Sequence, residues 1–444
     1  MNFFGINMKT EYASTLEFLY SQIPAFHRIG SQAYKPGLER VLTLSAFFDN
    51  PHSKLRTIHV AGTNGKGSTA HSLAAVLSAA GYKTGLFTSP HILDFRERIR
   101  IDGKMIPEEE VISFVERFRM MEDSVSPSFF ELTTVMAFDY FCRMGVDIAV
   151  IEVGLGGRLD SSNIITPEVS IITNISLDHT SLLGDTVEEI ASEKAGIIKS
   201  HVPVVIGEAY GGVKDCFLRK ARLMSAPIVF ADTENEIIKA EQKGDGIHYS
   251  THSFGEFIGS LTGDFQIKNT ATVLETVKIL NQAGHFRVGN KAIETGLGHV
   301  TEMTGLMGRW MKIADSPLTI CDTGHNPGGW KYISRLLSDF NGTKRIVIGF
   351  VNDKDVDSIL SLLTRIPAAE FYFTSPSTPR ALSAGDLQSI AAGNGLPGRK
   401  FSTVAEAYKN ALADVIDKSD EMIFIGGSNF VVADFLDYTL NGRR

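Results

Sequence analysis

The stretch that decides the fold is HVAGTNGKGST, residues 59–69. It ends an apolar, β-branched run, Leu55–Ala61, which indicates a buried strand, and it leads into a helix predicted from about Ser68 to Ala80. A glycine-rich turn between a strand and a helix directs backbone N–H groups and the helix N-terminus at one anion. A Cβ would block this close approach, which explains the glycines. The order of these elements predicts a phosphate-binding loop that holds a nucleoside triphosphate.

Lys66 supplies positive charge to this loop. The loop differs from the common G-x-x-x-x-G-K-[ST] pattern, because the first glycine is missing at the required spacing and Gly67 separates Lys66 from Ser68. The alternative is an ordinary strand-to-helix turn with Lys66 solvated. The strand–loop–helix context favours the phosphate loop. The predicted nucleotide-binding residues are Gly62, Thr63, Asn64, Gly65, Lys66, Gly67 and Ser68.

The rest of the chain alternates short apolar runs with longer helical patterns, which is typical of a parallel sheet covered by helices. The first series of further strands is predicted at Lys83–Phe87, Asp147–Val153, Val169–Thr173 and Pro203–Ile206. Helices are predicted at Pro107–Met121, Glu131–Met144 and Asn269–Ala283. A second series of strands is predicted at Leu318–Asp322, Arg345–Phe350, Glu370–Thr374 and Met422–Gly426. We therefore predict an α/β protein with two domains, the boundary lying in the glycine-punctuated stretch near residue 300.

Composition agrees with this organisation. At 444 residues, the chain exceeds what one ordinary hydrophobic core organises. Its 43 Lys and Arg against 51 Asp and Glu give a net charge of -8, which argues against a broad nucleic-acid or anionic-membrane surface. No apolar run is long enough to span a bilayer, and the N-terminus lacks the features of a secretory signal. Three separated cysteines without a C-x-x-C spacing indicate a reduced cytoplasm.

Polar side chains fall at the predicted strand ends. Glu152 closes one strand and His179 follows the next, and the carboxyl ends of parallel strands are where α/β proteins bind ligands. Mg²⁺ takes hard oxygen ligands together with nucleotide phosphates, so Glu152 is a candidate ligand; the alternative is a carboxylate that caps an exposed strand end. For His179, metal or phosphate binding and a purely structural role both stay open. Lys194, on a predicted helix, is by default a solvated charge.

Two short segments of the second domain carry charged residues. Arg309 lies in GLMGRW, residues 305–310, and its fork geometry suits a phosphate. Asp322 ends a predicted strand, and with His325 it would hold a ribose or orient Arg309. The alternative for Asp322 is the N-cap of the following helix.

Together these segments resemble the folylpolyglutamate synthase/dihydrofolate synthase family, a branch of the Mur-ligase superfamily. The matching motifs, in the family's order, are GTNGKGS (62–68), SPH (89–91) with ERIR (97–100), EVGLGGRLDSSN (152–163), LDHT (177–180), EKAGIIK (193–199), GRW (308–310) and DTGHNP (322–327). The segment 23–44 also looks like the family's N-terminal entry. The resemblance covers nearly the whole chain. It implies a P-loop NTPase-like domain, residues 1–299, followed by a smaller Rossmann-like ligase domain, residues 300–444.

The resemblance implies an ATP-dependent amide ligase. ATP would convert the carboxylate of dihydropteroate or a reduced folate into an acyl phosphate, which the amine of L-glutamate attacks. The need for ATP follows from chemistry, since a free carboxylate is a poor electrophile. The other expectations are a monomer, without nucleic-acid or membrane partners.

The resemblance also assigns roles to single residues. It implies one Mg²⁺ held by Ser89, Glu152 and His179, and a second held by Lys194 after carbamylation. Further nucleotide contacts match Asn269, Arg309 and Asp322, while Ser428 in the loop GGSN would help hold glutamate. The implied catalytic residues are Lys66, His179, Lys194 and His325.

Two motifs depart from the family pattern. The common H-Q-x-x-N begins here with Phe265, so a contact from the missing His is in doubt, whereas Gln266 and Asn269 remain. The common D-G-A-H-N-P reads DTGHNP, which keeps the charged and imidazole groups. We expect only a local backbone change there.

Two other functions stay open from the sequence. A Mur-type ligase that joins amino acids to a cell-wall precursor would use the same machinery, although GTNGKGS and DTGHNP favour the folate branch. A nucleotide-binding switch should carry an N-K-x-D motif that recognises guanine, and residues 174–178 resemble this motif only loosely. Within the folate branch, we expect a bifunctional enzyme. Specificity would lie in a pterin pocket formed by residues 23–40, 89–105 and 125–131.

Overall fold

A computed structural model describes residues 3–21, 23, 35–121 and 125–442. The chain divides into two compact units, residues 1–305 and 306–444. The larger unit contains, within its described residues, a sheet of eight strands: β1 (Thr57–Ala61), β2 (Thr84–Phe87), β3 (Ile99–Ile101), β4 (Lys104–Met105), β5 (Ile148–Glu152), β6 (Val169–Ile172), β7 (Val204–Ile206) and β8 (Ile228–Phe230).

The order of the strands in this sheet is β4-β3-β2-β5-β1-β6-β7-β8. From β2 to β8 all neighbours run parallel, while β3 and β4 add an antiparallel edge. The central strand β1 pairs with β5 on one side and β6 on the other, and all three are fully buried. Their carboxyl ends therefore meet at one edge of the sheet, as the sequence predicts.

Helices cover both faces of the sheet. In the described part of the larger unit they are α1 (Phe3–Ser21), α2 (Glu39–Phe47), α3 (Lys66–Ala79), α4 (Glu108–Arg119), α5 (Phe129–Met144), α6 (Thr180–Leu183), α7 (Val187–Lys194), α8 (Gly211–Leu223), α9 (Asp264–Ala283), α10 (Asn290–Gly298) and α11 (Val300–Thr304). Successive strand residues face opposite sides: Ile151 packs with the core of α4 and α5, and Val150 with the core of α3 and α9. These two neighbouring residues therefore lie in separate apolar cores, and a third core of this unit contains Ile172 and Ile206.

A small antiparallel sheet in this unit has no counterpart in the sequence prediction. Its strands are β9 (Ile237–Lys243), β10 (Gly246–Thr251) and β11 (Glu256–Gly259). Tyr249 and Phe257 stack across it with ring centroids 5.0 Å apart. Most residues of β9 are exposed, which removes the apolar alternation that would have revealed the strand.

The smaller unit contains a mixed sheet in the order β12-β13-β17-β14-β15-β16. Its strands are β12 (Met311–Asp315), β13 (Leu318–Asp322), β14 (Thr343–Ile348), β15 (Ala369–Phe373), β16 (Gly398–Lys400) and β17 (Glu421–Gly426). Its helices are α12 (Pro327–Asp339), α13 (Val356–Leu363), α14 (Ala384–Gly393), α15 (Val404–Ala413) and α16 (Asn429–Asn441). Apart from β12, the paired strands run parallel. The predicted pair of α/β domains is confirmed.

The division between the units falls after Gly305, whereas the sequence placed it between residues 299 and 300. Helix α11 belongs to the larger unit because Thr304 is buried and its Oγ1 lies 2.7 Å from Nδ1 of His71 on α3. None of the helices in the ranges described here is long and apolar enough to cross a membrane.

Candidate functional site

The segment 59–69 forms the predicted strand, loop and helix. Two of its glycines cannot carry a side chain. Gly62 has φ +140°, and a Cβ there would lie 1.9 Å from Oγ1 of Thr173; Gly65 has φ +84°, and its Cβ would lie 2.4 Å from Oδ1 of Asn269. Helix α3 begins directly afterwards at Lys66, so its first N–H groups face the loop.

The loop is fixed by hydrogen bonds to the segment after β6. The backbone N–H of Thr63 donates to the carbonyl of Asn174 at 2.9 Å, and that of Asn64 donates to the Asn174 side chain at 3.0 Å. Oγ1 of Thr63 accepts from the Ser176 N–H at 3.1 Å, and Thr173 Oγ1 donates to the Asn64 carbonyl at 2.6 Å. The side chain of Thr63 and the backbone of Asn64 therefore fix the loop. The anchors Asn174 and Ser176 were missed from the sequence, where only their strand-end position was a signal.

The polar side chains at the start of α3 differ in their surroundings. Nζ of Lys66 donates to the carbonyls of Gly62 and Thr63, each at 3.1 Å, so the ammonium lies over the loop. Oγ of the buried Ser68 accepts from Nε2 of Gln266 at 3.3 Å.

Two residues of α9 complete this side of the loop. Gln266 and Asn269 are both buried, and Nδ2 of Asn269 donates to Oε1 of Gln266 at 2.9 Å. The predicted nucleotide residue Asn269 thus lies against Gly65 of the loop. Phe265, which replaces the family's His, leaves this Gln–Asn pair intact.

A carboxylate and a hydroxyl lie at the ends of neighbouring strands. Glu152 ends β5 and is buried, and its Oε2 accepts from the backbone N–H of Ser89, which follows β2, at 3.1 Å. The alternative of an exposed capping carboxylate is therefore wrong. His179 follows β6 on the other side of β1, with φ +52°, and its Nε2 lies 3.9 Å from Oδ1 of Asp178.

Lys194 is buried, which corrects the default expectation of a solvated lysine. Burial and, to a smaller extent, the charge of Lys66 lower the pKa of its ammonium to about 7, while Asp178 and Asp160 oppose the shift. The glycine loop after Glu152 covers this end of α7, because a Cβ on Gly157 would lie 2.9 Å from Cα of Lys194. Asp160 was not among the predicted site residues.

The donor types at this sheet edge suit a hard cation. No group of three or more His, Cys, Asp or Glu side chains that would enclose a metal alone occurs within the described ranges. A carboxylate ends β5, a hydroxyl follows β2, and an imidazole lies in the segment that leaves β6. β5 and β6 flank β1, which leads into the phosphate loop. Mg²⁺ typically binds to one or two carboxylates and completes its shell with water and substrate phosphates, so the residues fit such an ion.

A cluster of aromatic rings around a cation lies near Glu152. Arg98 is buried, its Nε donates to Nδ1 of His91 at 2.7 Å, and its guanidinium lies 5.1 Å from the ring centroid of Phe129. Tyr20 stacks on the same ring at 5.7 Å. Burial lowers the pKa of Arg98 to about 10, which the charge of Glu152 opposes. Of the predicted pterin-pocket segments, residues 24–34 lie outside the described residues.

In the smaller unit, Asp322 connects two predicted motifs. Its Oδ2 accepts from the N–H of Trp310 and its Oδ1 from that of Gly324, both at 2.7 Å. Burial raises the pKa of Asp322, and the charge of Arg309 opposes the shift. The guanidinium of Arg309 donates to Thr323 Oγ1. The carboxylate thus holds the GRW segment against the DTGHNP segment.

The remaining predicted residues of this unit lie at helix starts. Nδ1 of His325 lies 3.1 Å from the Thr323 carbonyl. The N-cap of α12 is Asn326, whose side chain accepts from the Gly329 N–H at 2.8 Å, so the alternative of Asp322 as the cap is wrong. Oγ of Ser428 is buried and caps α16 by accepting from the Val431 N–H at 3.2 Å. This bond uses the hydroxyl as an acceptor, so its proton remains able to donate to a carboxylate.

Comparison with known proteins identifies the class that this fold and site define. The sequence matches the Mur ligase middle domain over residues 60–277 and the Mur ligase glutamate ligase domain over residues 308–429. Both parts of the chain thus match domains of the Mur ligase class.

The relatives narrow the family. The chain is 33% identical to the folylpolyglutamate synthase of Lacticaseibacillus casei, over 97% of this chain and 99% of that protein. It is 30% identical to the dihydrofolate synthase/folylpolyglutamate synthase of Escherichia coli, over 96% of each. The chain belongs to the folylpolyglutamate synthase/dihydrofolate synthase family of ATP-dependent amide-forming ligases, which confirms the resemblance seen in its motifs.

Solved structures of proteins of this family match the fold of the whole chain. The structure of E. coli FolC in complex with DHPP and ADP matches with a TM-score of 0.84 at 30% identity, covering 98% of each chain. A bifunctional folylpolyglutamate synthase/dihydrofolate synthase with Mn, AMPPNP and L-glutamate bound matches with a TM-score of 0.79 at 31% identity, covering 97% of this chain and 98% of that one.

Proposed function

We propose that this protein joins L-glutamate to the carboxylate of dihydropteroate or a reduced folate at the expense of ATP, and that it serves both substrates. The observation that carries the proposal is the order of three adjoining strands: β1 leads into the phosphate loop, β5 ends at Glu152, and β6 leads into the segment that contains His179. Lys194 is buried in the same unit. The ligands named for the two matched structures, DHPP with ADP and L-glutamate with AMPPNP, support it by analogy.

The chemistry has two steps. A substrate carboxylate oxygen attacks the γ-phosphorus of ATP, which releases ADP and leaves an acyl phosphate. The unprotonated amine of glutamate then attacks the acyl carbon, inorganic phosphate leaves, and an amide remains. The loop N–H groups and Lys66 stabilise the negative charge on the phosphates during the first step. His325 would act near the γ-phosphate, and Asn269, Arg309 and Asp322 would position the nucleotide.

Ser89, Glu152 and His179 would hold Mg²⁺ beside the phosphates. The ion would neutralise the charge that develops on the phosphate oxygens during transfer. The charge of Glu152 is already directed to this edge by its bond from the Ser89 N–H. The proposed ligands would therefore hold the cation where it balances the charge of the phosphates.

Lys194 would provide a ligand for a second Mg²⁺ after carbamylation. Its pKa of about 7 leaves a substantial neutral fraction of the amine near neutral pH, and only the neutral amine reacts with CO₂. The product is an anion, so a cation becomes an oxygen ligand. This is the reason we propose for burying a lysine beneath a glycine loop.

The folate substrate would bind beside the cluster of aromatic rings around Arg98. A buried guanidinium on the face of Phe129 combines a flat apolar surface with a positive charge. Such a surface suits a planar ring system that carries an anionic group. We also propose that the protein acts as a cytoplasmic monomer, which light scattering on the purified protein would test for the oligomeric state.

One assay tests the proposal. Purified protein is incubated with ATP, Mg²⁺ and L-glutamate, together with dihydropteroate, tetrahydrofolate or a UDP-linked cell-wall precursor, and ADP and the amide product are measured. We expect amide and ADP in equal amounts with both folate-type substrates. Turnover only with the cell-wall precursor would replace this function by that of a cell-wall ligase. Nucleotide binding that prefers guanine, without acceptor-dependent ADP, would instead indicate a switch.

A further inference from the structure

A chain of buried polar side chains lies beneath the phosphate loop. His59 is on β1, three residues before Gly62, and its side chain is fully buried. Its Nε2 lies 2.8 Å from Oγ of Ser162, and Oγ of Ser162 donates to Oδ1 of Asp160. Ser162 and Asp160 are also buried and belong to the segment that follows Glu152. This series of hydrogen bonds therefore links the strand under the phosphate loop with the loop after the candidate metal ligand Glu152.

These bonds determine where the proton of His59 resides. Ser162 has one hydroxyl proton, which is directed at Asp160, so its oxygen accepts from His59. Nε2 of His59 must then carry a proton. Burial lowers the pKa of His59 to about 3, so the ring is neutral and Nδ1 is an acceptor. Nδ1 is buried and has no hydrogen-bond partner in the part of the chain described here. An unpaired buried acceptor is unfavourable, so the ring orientation must be held by the bond to Ser162.

Asp160 extends this constraint to the backbone beside Lys194. Its Oδ2 accepts from the N–H of Leu155 at 2.8 Å, and its Oδ1 accepts from the N–H of Ser162 at 3.0 Å. The glycine loop held in this way lies directly on the end of α7, where a Cβ on Gly157 would approach Cα of Lys194 to 2.9 Å. A displaced Asp160 would therefore displace the loop that covers Lys194.

We propose that His59 and Ser162 are positioning residues that align Lys194 and Glu152 with the phosphate loop through Asp160. The inference rests on the proposed function in assigning Lys194 and Glu152 to the metal site. The role requires an N–H donor at the place of Nε2. The side chain of His59→Gln reaches this place with an amide N–H, whereas that of His59→Asn reaches only the place of Nδ1. The two variants therefore form a matched pair.

The test is the affinity of the ADP-saturated protein for Mn²⁺, measured by electron paramagnetic resonance. We expect affinity about tenfold lower in His59→Asn and Ser162→Ala, as for other residues that orient metal ligands, and near the wild-type value in His59→Gln. The kcat should fall in parallel, while the KM for ATP should stay unchanged, because neither His59 nor Ser162 is among the residues proposed to bind the nucleotide. The double variant His59→Asn/Ser162→Ala should bind Mn²⁺ no more weakly than either single variant, because both substitutions break the same series of hydrogen bonds.

Three outcomes would overturn the proposal: wild-type affinity in Ser162→Ala, equal weakening by the Gln and Asn variants, or no Mn²⁺ binding by the wild type with ADP. Ser162→Ala removes a single oxygen and decides the matter alone if His59→Asn does not fold. A wild type that binds Mn²⁺ with ADP but ligates no glutamate would contradict the proposed function only. In that case the comparison of Mn²⁺ affinities still decides the role of His59.

Discussion

The backbone N–H of Ser89 donates a hydrogen bond to Oε2 of Glu152 at 3.1 Å. Ser89 follows β2, and Glu152 is the last residue of the neighbouring parallel strand β5. A main-chain group therefore directs the carboxylate along the edge of the sheet. A side-chain substitution at Ser89 leaves this bond in place. A substitution can therefore remove the charge of Glu152 while the side chain keeps its position.

Glu152→Gln keeps the shape of the side chain and an oxygen that can accept from Ser89, but removes the charge. We expect Mn²⁺ affinity of the ADP complex to fall by at least about tenfold, and the rate of amide formation to fall with it. Electron paramagnetic resonance and product analysis measure the two effects. The control is Glu241→Gln on the exposed strand β9, which should leave both unchanged. Undiminished Mn²⁺ binding in Glu152→Gln would remove this residue from the metal site.

Lys66→Ala removes the ammonium that lies over the phosphate loop. We expect kcat to fall about 10²–10³-fold, the usual loss when one stabilising group is removed from a transition state. The fold should be retained, because the bonds of Nζ within the described residues go to two loop carbonyls. Circular dichroism and steady-state kinetics measure both. Lys268→Ala is the matched control, since that exposed lysine pairs with Glu208 at 2.6 Å. A loss of helical signal in Lys66→Ala would assign this lysine a structural role.

The sequence predicts the strand ends of this site well and its packing poorly. The strand end at Glu152 could be predicted because β5 is a short apolar run that stops at this carboxylate. The end of β6 was less clear, since the strand stops at Ile172, seven residues before His179. The burial of Lys194 could not be predicted, because the covering loop comes from about 35 residues earlier in the chain and contributes mainly glycine backbone. Asn174 was overlooked for a similar reason, since its bonds to the phosphate loop join segments that are far apart in sequence.

The pKa of Lys194, about 7, predicts a pH dependence of activation by bicarbonate. Below this pKa the ammonium form dominates and does not react with CO₂, so activity should fall as the pH decreases through it and rise above it. Initial rates measured on both sides of this pKa, with and without bicarbonate, show whether activity changes with pH in this direction.

The same lysine can be tested by substitution. Lys194→Ala should be inactive and partly restored by short carboxylates, which would replace the carbamate oxygens. Lys194→Arg keeps a cation and cannot form a carbamate, so we expect it to be inactive as well. Full activity of Lys194→Ala would refute carbamylation as a requirement.

His59 predicts a loss of stability in acid. Its pKa is about 3 in the fold against 6.5 in the unfolded chain, so below pH 6.5 the unfolded state binds a proton that the folded state does not. The free energy of unfolding should therefore fall by up to about 1.4 kcal/mol per pH unit between these values, and not above pH 6.5. Urea unfolding at several pH values measures it. His59→Gln should lack this contribution, so an identical slope in both proteins would contradict a neutral buried ring.

Gly62→Ala tests how tightly the phosphate loop is held. The residue has φ +140°, and the new Cβ would lie 1.9 Å from Oγ1 of Thr173. We expect the free energy of unfolding to fall by about 3 kcal/mol, because backbone strain and overlap add. Gly81→Ala is the control: it also has a positive φ, but nothing lies within 4 Å of its Cβ, so only about 1 kcal/mol of strain is expected. Adding Thr173→Ala to Gly62→Ala should recover part of the loss in urea unfolding. Equal losses at positions 62 and 81 would mean that Thr173 moves aside and that the loop is not rigidly packed.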